Sequence, residues 1–359
     1  MIILGCTGSI GVSTINIVLK YNLYVDVLVA GKNIKLLNSQ IKKVKPKVVV
    51  IASKEDIHKV DFDKVYAGKK AMLEAIKNSP STLVINGLVG FVGLAPTILA
   101  ISLKKHIALA NKESLVVAGK FIDSSYITPI DSEHFSLSYI INRNKKINKL
   151  IITASGGSFR DIDIDNLKDV SIKEALDHPN WSMGDKITID SATMTNKLFE
   201  LLEAYWLFDI KDIDAIIERK SIIHAIVSYV DGSMVAHMSK PTMNLPIYYA
   251  IFGNTDRKIS EHIDLVKLSN LSFTAIDTKR YPIWSIREKL LSNPDLGVVL
   301  NASNEVAVNM FLNNQIKFVD ISKIVLHSIE KYQDISIDSL DEVYKIHQNI
   351  TDDLISKKG

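Results

Sequence analysis

The sequence predicts an α/β protein with three parts: an N-terminal parallel sheet, a central α+β region and a C-terminal bundle of helices. Three observations predict this class. Over the first 120 residues short apolar runs alternate with segments of helical spacing, which is typical of a parallel sheet covered by helices on both faces. The middle of the chain combines a long helix with a hairpin signal. From Tyr281 onward the apolar spacing is helical.

The first part is predicted to be a domain over residues 1–125. Its strand signals are MIIL, YVDVLVAG, KVVVIAS, STLVING and HIALAN. Its helical signals are GVSTINIVLKY, IKLLNSQIKKV and LAPTILAISLKK. Strands separated by helices in this order predict parallel pairing.

The second domain is predicted over 126–253. It has a strand ending in a glycine-rich loop (KLIITASGGSF) and one long helix (SATMTNKLFELLEAYWLF). A hairpin follows, turning at Asp231-Gly232. Residues 254–280 are polar and irregular and are predicted to be a linker. Residues 281–359 are predicted to form the helical domain, in which Ser339 and Glu342 have capping-box spacing before the last helix.

Composition and charge exclude several classes of function. The net charge is +3, and the lysines are spread along the chain without a basic stripe, so no nucleic-acid partner is expected. No apolar run is long enough to span a bilayer, so no membrane partner is expected. The single cysteine, Cys6, excludes an internal disulfide. Because MIILGCTGSIG runs directly into a strand and turn, no secretory signal is expected and the predicted location is cytoplasmic.

The glycine turn after the first strand predicts a dinucleotide site. Gly5, Gly8 and Gly11 form G-x-x-G-x-x-G between a strand and a helix, which indicates a Rossmann-like domain. The alternative is an ordinary strand-to-helix turn. After the second strand the chain carries Lys32 instead of an acidic residue, and a lysine attracts a 2′-phosphate. The sequence therefore predicts NADP over NAD.

Two carboxylates in TPIDSEHFSLS lie two residues apart. In an extended chain Asp131 and Glu133 would point to the same face and repel each other. They could be solvated loop charges, helix-capping groups or ligands of one cation. All three alternatives fit this spacing.

The predicted helix at 192–208 adds a second set of candidates. Asn196, Lys197 and Glu200 are spaced to share one helix face, either as a purely structural ion pair or as part of a site. Together with Asp131 and Glu133, Glu200 would complete an all-oxygen site suited to Mg²⁺ or Mn²⁺. Hydroxyls in SGGSF and DSAT suit a phosphate. A nicotinamide cofactor, a metal and a phosphate pocket indicate the reduction of a phosphorylated, chelating carbonyl compound.

Over essentially its whole length the chain resembles the 1-deoxy-D-xylulose 5-phosphate reductoisomerases. The motifs that carry the resemblance are GCTGSIG, AGKN, ALANKESLV, PIDSEH, SGGSFR, HPNWSMGDKITIDSATMTNK, DGSMVA and LNASNEVAV. The resemblance implies an NADPH- and metal-dependent enzyme that converts 1-deoxy-D-xylulose 5-phosphate to 2-C-methyl-D-erythritol 4-phosphate for isoprenoid synthesis. It also implies a V-shaped fold and a homodimer.

The resemblance assigns roles to individual residues. The implied catalytic residues are Lys112, Asp131, Glu133 and Glu200, of which the three carboxylates are the metal ligands. The implied cofactor contacts are Thr7, Gly8, Ser9, Ile10, Gly31, Lys32, Asn33, Asn111, Glu113 and Gly184. The implied contacts to the phosphorylated sugar are Lys112, Ser132, Ser155, His178, Trp181, Ser191, Asn196, Lys197 and Glu200. The family usually has Gly where this chain has Leu198, and Ser-Gly-Gly-Pro-Phe where this chain has SGGSF. In this chain the segment between Glu133 and Ser155 is shorter than in many members of the family.

One loop is predicted to move. DHPNWSMGD, taken to join a helix to a strand, mixes proline, glycine and an aromatic, and we predict a flap that lays Trp181 over the substrate. The alternative is an ordinary loop with a half-buried tryptophan. Two rival functions remain: a simple NADP-dependent dehydrogenase of another phosphorylated compound, and an NADPH sensor without catalysis.

Overall fold

The computed structural model describes residues 1–254 and 257–356, and this chain forms two compact units. The first unit comprises residues 1–114, 122–135 and 242–261, and the second comprises 115–121, 136–241 and 262–359. Within the described residues, none of the helices combines the length and the apolar character needed to cross a bilayer.

The first unit is built on a parallel sheet. In the described residues its seven strands lie in the order β4-β3-β2-β1-β5-β6-β7. The strands are β1 (Ile2–Leu4), β2 (Val27–Ala30), β3 (Val48–Ile51), β4 (Val65–Ala67), β5 (Leu83–Asn86), β6 (His106–Leu109) and β7 (Ile127–Pro129). The helices along this stretch of chain are α1 (Ser9–Lys20), α2 (Ile34–Val44), α3 (Lys69–Asn78), α4 (Leu94–Ser102), α5 (Lys112–Ala118) and α6 (Ser132–Ile140), with 3₁₀ turns at Lys54–Lys59, Phe91–Gly93, Gly119–Phe121 and Ser124–Tyr126.

The apolar strands explain this layered core. Ile3, Leu28, Val49 and Ile85 are fully buried between the sheet and its helices, as expected for strands covered on both faces. The predicted parallel α/β sheet is confirmed. The sequence reading missed β4 and α3, whose pattern KKAMLEAIKN has only a narrow apolar face.

The order of strands reverses between β1 and β5. In open α/β sheets, ligands bind beyond the carboxyl ends of the strands at such a reversal. The loops after β1 and β5 therefore mark the place where a dinucleotide would bind.

The second unit contains a mixed sheet. Its five described strands have the order β11-β10-β8-β9-β12, in which only β8 and β9 pair in parallel. The strands are β8 (Ile147–Ala154), β9 (Ile213–Glu218), β10 (Ile223–Tyr229), β11 (Met234–Met238) and β12 (Phe273–Thr274). The predicted hairpin is β10 and β11.

The remaining helices follow in chain order. They are α7 (Ile172–Ala175), α8 (Asp185–Thr193), α9 (Thr195–Phe208), α10 (Asn244–Phe252), α11 (Leu265–Leu268), α12 (Arg287–Ser292), α13 (Leu296–Leu312), α14 (Phe318–Lys331) and α15 (Leu340–Ser356), with 3₁₀ turns at Ile164–Asp169 and Pro282–Ile286. Helix α10 packs in the core of the first unit through Ile247 and Tyr248.

The C-terminal helices form the predicted bundle. Helix α13 is buried along most of its length and packs against α14 and α15. Ile321, Val325 and Ile329 are buried, which confirms the apolar stripe of α14. The Ser339 hydroxyl accepts a hydrogen bond from the Glu342 N–H at 3.3 Å, but the Glu342 carboxylate accepts from the Asp338 N–H instead of closing the box on Ser339.

Two local predictions were wrong. The single helix predicted at 192–208 is broken at Met194, whose φ of 73° lies in the left-handed region and separates α8 from α9. The DHPNWSMGD loop joins helix to helix, not helix to strand. The predicted linker contains α11 and β12 in its described part; its residues 255 and 256, and residues 357–359 of the predicted helical domain, lie outside the described residues.

Candidate active site

The glycine turn lies at the carboxyl end of β1 and packs too closely for other residues. A Cβ on Gly5 would lie 2.6 Å from the Gly87 carbonyl oxygen, and Gly5 has a φ of +78°. A Cβ on Gly11 would lie 2.3 Å from the Gly5 carbonyl oxygen. Helix α1 begins at Ser9, directly after this turn, and within the described chain its N-cap Gly8 makes no side-chain capping bond. Its first N–H groups therefore suit a pyrophosphate.

The end of β2 is open to solvent. Gly31, Lys32 and Asn33 are exposed, and a Cβ on Gly31 would meet nothing within 4 Å. The side chain of Asn33 caps α2 by accepting from the Leu36 N–H at 3.1 Å. An exposed lysine beside a helix start fits the 2′-phosphate of NADP.

Helix α2 also contacts the glycine turn directly. Gln40 is buried and donates from Nε2 to the Cys6 carbonyl oxygen at 2.7 Å. Cys6 is itself buried, and burial raises the pKa of its thiol to about 12, so it stays protonated. The sequence reading missed Gln40, because an amide at a core position of a helix carries no recognisable motif.

Lys112 begins α5, just beyond β6, between two buried polar neighbours. Its ammonium group forms an ion pair with Asp131 in the same unit, and its side chain is only 5% exposed. Asn111 and Glu113 are buried on either side of it. The side chain of Asn111 bonds inside the protein to Leu88, Gly90, Glu113 and Ser114. A contact of Asn111 or Glu113 with the cofactor remains a prediction.

Asp131 and Glu133 lie at the start of α6, so the extended geometry assumed from the sequence is wrong. Asp131 accepts from the Glu133 N–H at 3.3 Å and, through its carbonyl, from the Phe135 N–H at 2.9 Å, as a helix-starting residue does. The Ser132 hydroxyl donates to the Glu133 carboxylate. Helix N-termini favour anionic side chains, so two carboxylates at positions 131 and 133 suit the start of α6.

The Asp131 carboxyl group is held in its ionised form. Burial alone would raise its pKa, but Lys112 and His134 together hold the pKa of Asp131 well below its ordinary value. His134 is fully buried, with Nδ1 3.7 Å from Asp131 Oδ1. An ionised carboxylate is the form that a metal ion requires.

In the second unit, α9 places its three candidate residues on one face as predicted. The Lys197 ammonium donates to the Glu200 carboxylate and to the Thr153 carbonyl oxygen at the end of β8. The Asn196 amide donates to the other oxygen of Glu200. Lys197 and Glu200 are 3% and 1% exposed, so this pair is far more buried than a surface ion pair.

Two neighbours on α9 refine the sequence reading. Leu198 stands where the family that the chain resembles usually has glycine, and its side chain is fully buried in the core. Glu203, one helical turn after Glu200, is fully buried, so it is not a surface carboxylate.

The glycine-rich loop after β8 brings two serines together. Gly157 has a φ of +71°, and a Cβ on it would lie 2.7 Å from the Ser191 carbonyl oxygen. The loop can therefore lie directly against the end of α8. As a result the Ser155 and Ser191 hydroxyls both contact His178 Nε2, at 3.0 and 3.3 Å.

The contacts of His178 fix its tautomer. Its Nδ1 accepts from the N–H groups of Asn180 and Trp181, at 3.2 and 3.0 Å, so this nitrogen carries no proton. The proton must be on Nε2, which faces the two serines. Burial, and after it the charge of Arg160, lowers the pKa of His178 to about 4.

The loop of residues 177–184 is attached through Asn180. The Asn180 amide donates to the Arg219 carbonyl oxygen and to the Ser221 hydroxyl, both at 2.7 Å. Trp181 is half-buried, with its ring centroid 6.2 Å from that of His224. Gly184 is exposed and precedes α8.

Family models match three stretches of the chain. A model described as 1-deoxy-D-xylulose 5-phosphate reductoisomerase matches residues 1–119. Models described as 1-deoxy-D-xylulose 5-phosphate reductoisomerase C-terminal domain and DXP reductoisomerase C-terminal domain match residues 127–208 and 238–352.

Relatives of known name match over nearly the whole chain. The 1-deoxy-D-xylulose 5-phosphate reductoisomerase of Nautilia profundicola is 50% identical over 98% of this chain and 98% of its own length. That of Campylobacter fetus is 49% identical over 98% of both chains. The chain belongs to the 1-deoxy-D-xylulose 5-phosphate reductoisomerase family.

Solved structures of the reductoisomerase family share this fold. The crystal structure of DOX-P reductoisomerase in complex with NADPH, fosmidomycin and magnesium has a TM-score of 0.92 at 31% identity, covering 99% of this chain and 97% of that one. The enzyme from Zymomonas mobilis in complex with NADPH has a TM-score of 0.86 at 33% identity, covering 98% and 96%. The predicted fold class is thereby confirmed.

The reductoisomerase fold divides the candidate residues between the two units. The first unit holds the glycine turn (Thr7, Gly8, Ser9, Ile10), the end of β2 (Gly31, Lys32, Asn33) and the acidic group (Asn111, Lys112, Glu113, Asp131, Ser132, Glu133). The second holds Ser155, His178, Trp181, Gly184, Ser191, Asn196, Lys197 and Glu200. Asp131 and Glu200 share one arrangement: each carboxylate is bonded to a buried lysine of its own unit.

Other polar residues behind these groups were missed by the sequence reading. Arg160 donates from one nitrogen to the Ser155 and Arg219 carbonyl oxygens, at 2.9 and 2.8 Å. The Tyr281 hydroxyl donates to the Gly156 carbonyl oxygen at 2.8 Å, and burial raises its pKa to about 12. Arg160 is the last residue of the motif SGGSFR, which could have indicated its role. No motif connects Tyr281 to Gly156, which is 125 residues away in the sequence.

Proposed function

We propose that the chain catalyses the NADPH- and divalent-metal-dependent rearrangement and reduction of 1-deoxy-D-xylulose 5-phosphate to 2-C-methyl-D-erythritol 4-phosphate. It is an NADP-dependent oxidoreductase of isoprenoid synthesis. Family membership over the whole chain carries this conclusion. The buried lysine–carboxylate pairs argue against a sensor, because binding NADPH alone does not require them.

The cofactor is NADPH, which supplies the hydride for the reduction. The N–H groups at the start of α1, with Thr7, Gly8, Ser9 and Ile10, bind its pyrophosphate and ribose. Gly31, Lys32 and Asn33 bind the 2′-phosphate. Asn111, Glu113 and Gly184 border the nicotinamide half.

The metal ion is Mg²⁺ or Mn²⁺, bound by Asp131, Glu133 and Glu200. Three carboxylates are the hard oxygen ligands that these ions prefer, and low exposure of Asp131 and Glu200 favours a bound cation over solvated charges. The bound ion acts as a Lewis acid toward the ketone and its neighbouring hydroxyl, worth several kcal/mol in comparable enzymes.

The surrounding side chains orient the substrate and stabilise charge. Lys112 donates toward the oxygen on which negative charge develops. Ser132, bonded to Glu133, contacts the reacting end of the sugar. Lys112 begins α5 and Ser132 begins α6, so both side chains keep their positions while the carbon skeleton rearranges.

The phosphate of the substrate binds to Ser155, Ser191, Asn196 and Lys197, with His178 as a neutral hydrogen-bond donor. The geometry of His178 supports this role, since its Nε2–H already faces the two serine hydroxyls. A remote phosphate contact supplies binding energy that keeps the reacting fragments oriented.

Residues 177–185 act as a flap that places Trp181 over the substrate and excludes water. Its attachment through Asn180 and His178 leaves Ser182 and Gly184 exposed as the segment that moves.

The proposed domains span residues 1–125, 126–253 and 281–359, with a linker at 254–280. The proposed location is cytoplasmic.

The functional unit is a homodimer. The edge strand β11 supports this proposal, because Met234 and Val235 are 57% and 42% exposed on it. An exposed apolar edge strand offers unpaired backbone groups to a second copy of itself.

The proposal is tested by mixing the protein with 1-deoxy-D-xylulose 5-phosphate, NADPH and Mn²⁺ and following nicotinamide absorbance. We expect NADPH consumption that a chelator abolishes, and Glu200→Gln should lower kcat by about a hundredfold or more. Glu218→Gln is the matched control: Glu218 is an equally buried glutamate of the second unit, and its carboxylate accepts from the backbone N–H groups of Lys220 and Ile222.

Product analysis separates the rival enzyme. A branched-chain polyol phosphate supports the rearrangement, whereas an unbranched alcohol formed at the same rate with chelator present would identify a simple dehydrogenase. NADPH binding without any turnover would identify the sensor.

A further inference from the structure

The loop between β5 and α4, residues 87–93, borders the strand reversal at which the cofactor is proposed to bind. It contacts the glycine turn directly, since the Gly87 carbonyl carbon and oxygen are the nearest atoms to a Cβ placed on Gly5. Its shape therefore affects the surface that meets the cofactor. None of its residues was a candidate from the sequence.

Two apolar side chains of this loop contribute little packing. Val89 and Val92 are 60% and 37% exposed, whereas Leu88 and Phe91 are half-buried. Hydrogen bonds from Asn86, the last residue of β5, fix both of its ends. Asn86 accepts from the Leu88 N–H at 3.2 Å and donates to the Gly93 carbonyl oxygen at 3.1 Å.

A second amide fixes the middle of the loop. Asn111, directly before Lys112, donates to the carbonyl oxygens of Leu88 and Gly90, at 3.0 and 2.9 Å. Glu113, directly after Lys112, accepts from the Gly90 N–H at 3.1 Å. Both chain neighbours of the proposed catalytic lysine thus bind one loop.

Thr97 on α4 joins the two amides. Its hydroxyl lies 2.9 Å from Asn86 Nδ2 and from the Gly93 carbonyl oxygen, and 3.3 Å from the Ser114 hydroxyl. Ser114 in turn donates to Asn111 Oδ1 from its N–H and its hydroxyl. Asn86, Thr97, Ser114 and Asn111 are at most 1% exposed, so water does not replace a missing partner.

The packing around this chain of side chains is too tight to accommodate another arrangement. A Cβ on Gly93 would lie 2.2 Å from Asn111 Oδ1. A polar network that is buried and internally satisfied specifies one conformation.

We propose that Asn86 and Thr97 are positioning residues that set the conformation of loop 87–93 and, through Asn111, the position of Lys112 for NADPH-dependent reduction. This inference rests on the proposed function for its link to catalysis. Neither residue contacts substrate or cofactor in the proposed site; they act through the loop.

Thr97→Val tests the proposal, because it removes the hydroxyl at nearly constant volume. We expect the KM and the dissociation constant for NADPH to rise about tenfold and kcat to fall, since small misplacements of reacting groups cost up to about a hundredfold in rate. Thr97→Ser keeps the hydroxyl and should restore values within about twofold of the parent.

Ser79→Ala is the matched control. Ser79 is 7% exposed and donates its hydroxyl to Asp26, at the amino ends of the same parallel strands. It should lower the melting temperature and leave kcat and the KM for NADPH unchanged.

If Thr97→Val lowers only the melting temperature, as Ser79→Ala does, the network is merely structural and the proposal is overturned. If Thr97→Val does not fold, Thr97→Cys, a weaker hydrogen-bonding isostere, is measured in the same way.

Titration of NADPH fluorescence separates this inference from the proposed function. A parent that binds NADPH but does not turn over the sugar phosphate refutes the function, while the dissociation constants of the variants still decide the role of Thr97.

Discussion

At the scale of single residues, His178 shows what contacts add to a sequence motif. The motif HPNW suggests a substrate contact but not a protonation state. The two backbone N–H groups that donate to Nδ1 require a neutral ring, and burial with Arg160 lowers its pKa to about 4. Protonation would place a third N–H against the donors of Asn180 and Trp181.

This depressed pKa predicts how stability depends on pH. Below pH 6.5 the unfolded chain binds a proton at His178, whereas the folded chain does so only near pH 4, so the free energy of unfolding falls as pH drops through this window. Solvent reaches part of the ring, which reduces the expected loss between pH 7 and pH 5 to about 1 kcal/mol.

The measurement is urea unfolding of the parent and of His178→Gln at pH 7 and pH 5. The variant should lose about 1 kcal/mol less than the parent on acidification. His347, whose pKa burial also lowers to about 4, is present in both proteins and cancels. Equal losses in the two proteins would show that His178 is not held neutral.

At the scale of secondary structure, apolar alternation predicted the parallel sheet because each strand signals its burial locally. The break at Met194 could not be read in the same way. Methionine rarely adopts a positive φ, and it does so here at 2% exposure, where packing of the whole unit outweighs the local preference. The backbone conformation at Asp131 and Glu133 was predicted wrongly for a related reason. Two carboxylates separated by one residue occur both in strands and at helix starts.

Helix α2 connects the two ends of the proposed NADPH site, which leads to a prediction. Its N-cap Asn33 lies at the 2′-phosphate end, and its Gln40 holds the Cys6 carbonyl of the glycine turn at 2.7 Å. Gln40→Leu should raise the KM for NADPH about fivefold, because the turn loses its anchor, with a smaller effect on kcat.

Asn38 provides the control on the same helix. Its amide donates to the Lys59 carbonyl oxygen and accepts from the Asp61 N–H, away from the turn. Asn38→Leu should lower stability but leave the KM for NADPH unchanged. An equal rise of KM in both variants would mean that the helix responds as a whole and that Gln40 has no special role.

At the scale of the whole molecule, residue types were more predictable than their partners. The sequence identified Lys197 and Glu200 as neighbours because they are one helical turn apart. It could not place Asn304 on α13 against Asp190 on α8, which are 114 residues apart and bonded at 2.7 Å. Contacts of this range depend on how distant elements pack, so a single sequence carries no periodic signal for them.

The proposed homodimer gives the prediction that belongs to the assembly. In the described residues β11 is an edge of the five-stranded sheet and exposes Val235, whose backbone pairs only with β10. Val235→Asp should place a charge on the edge and convert the dimer to a monomer in sedimentation experiments, because an edge charge opposes strand pairing. Val230→Asp, in the turn of the same hairpin and 58% exposed, should remain dimeric. A parent that sediments with the mass of one chain would refute the dimer, and a Val235→Asp protein that stays dimeric would place the interface elsewhere.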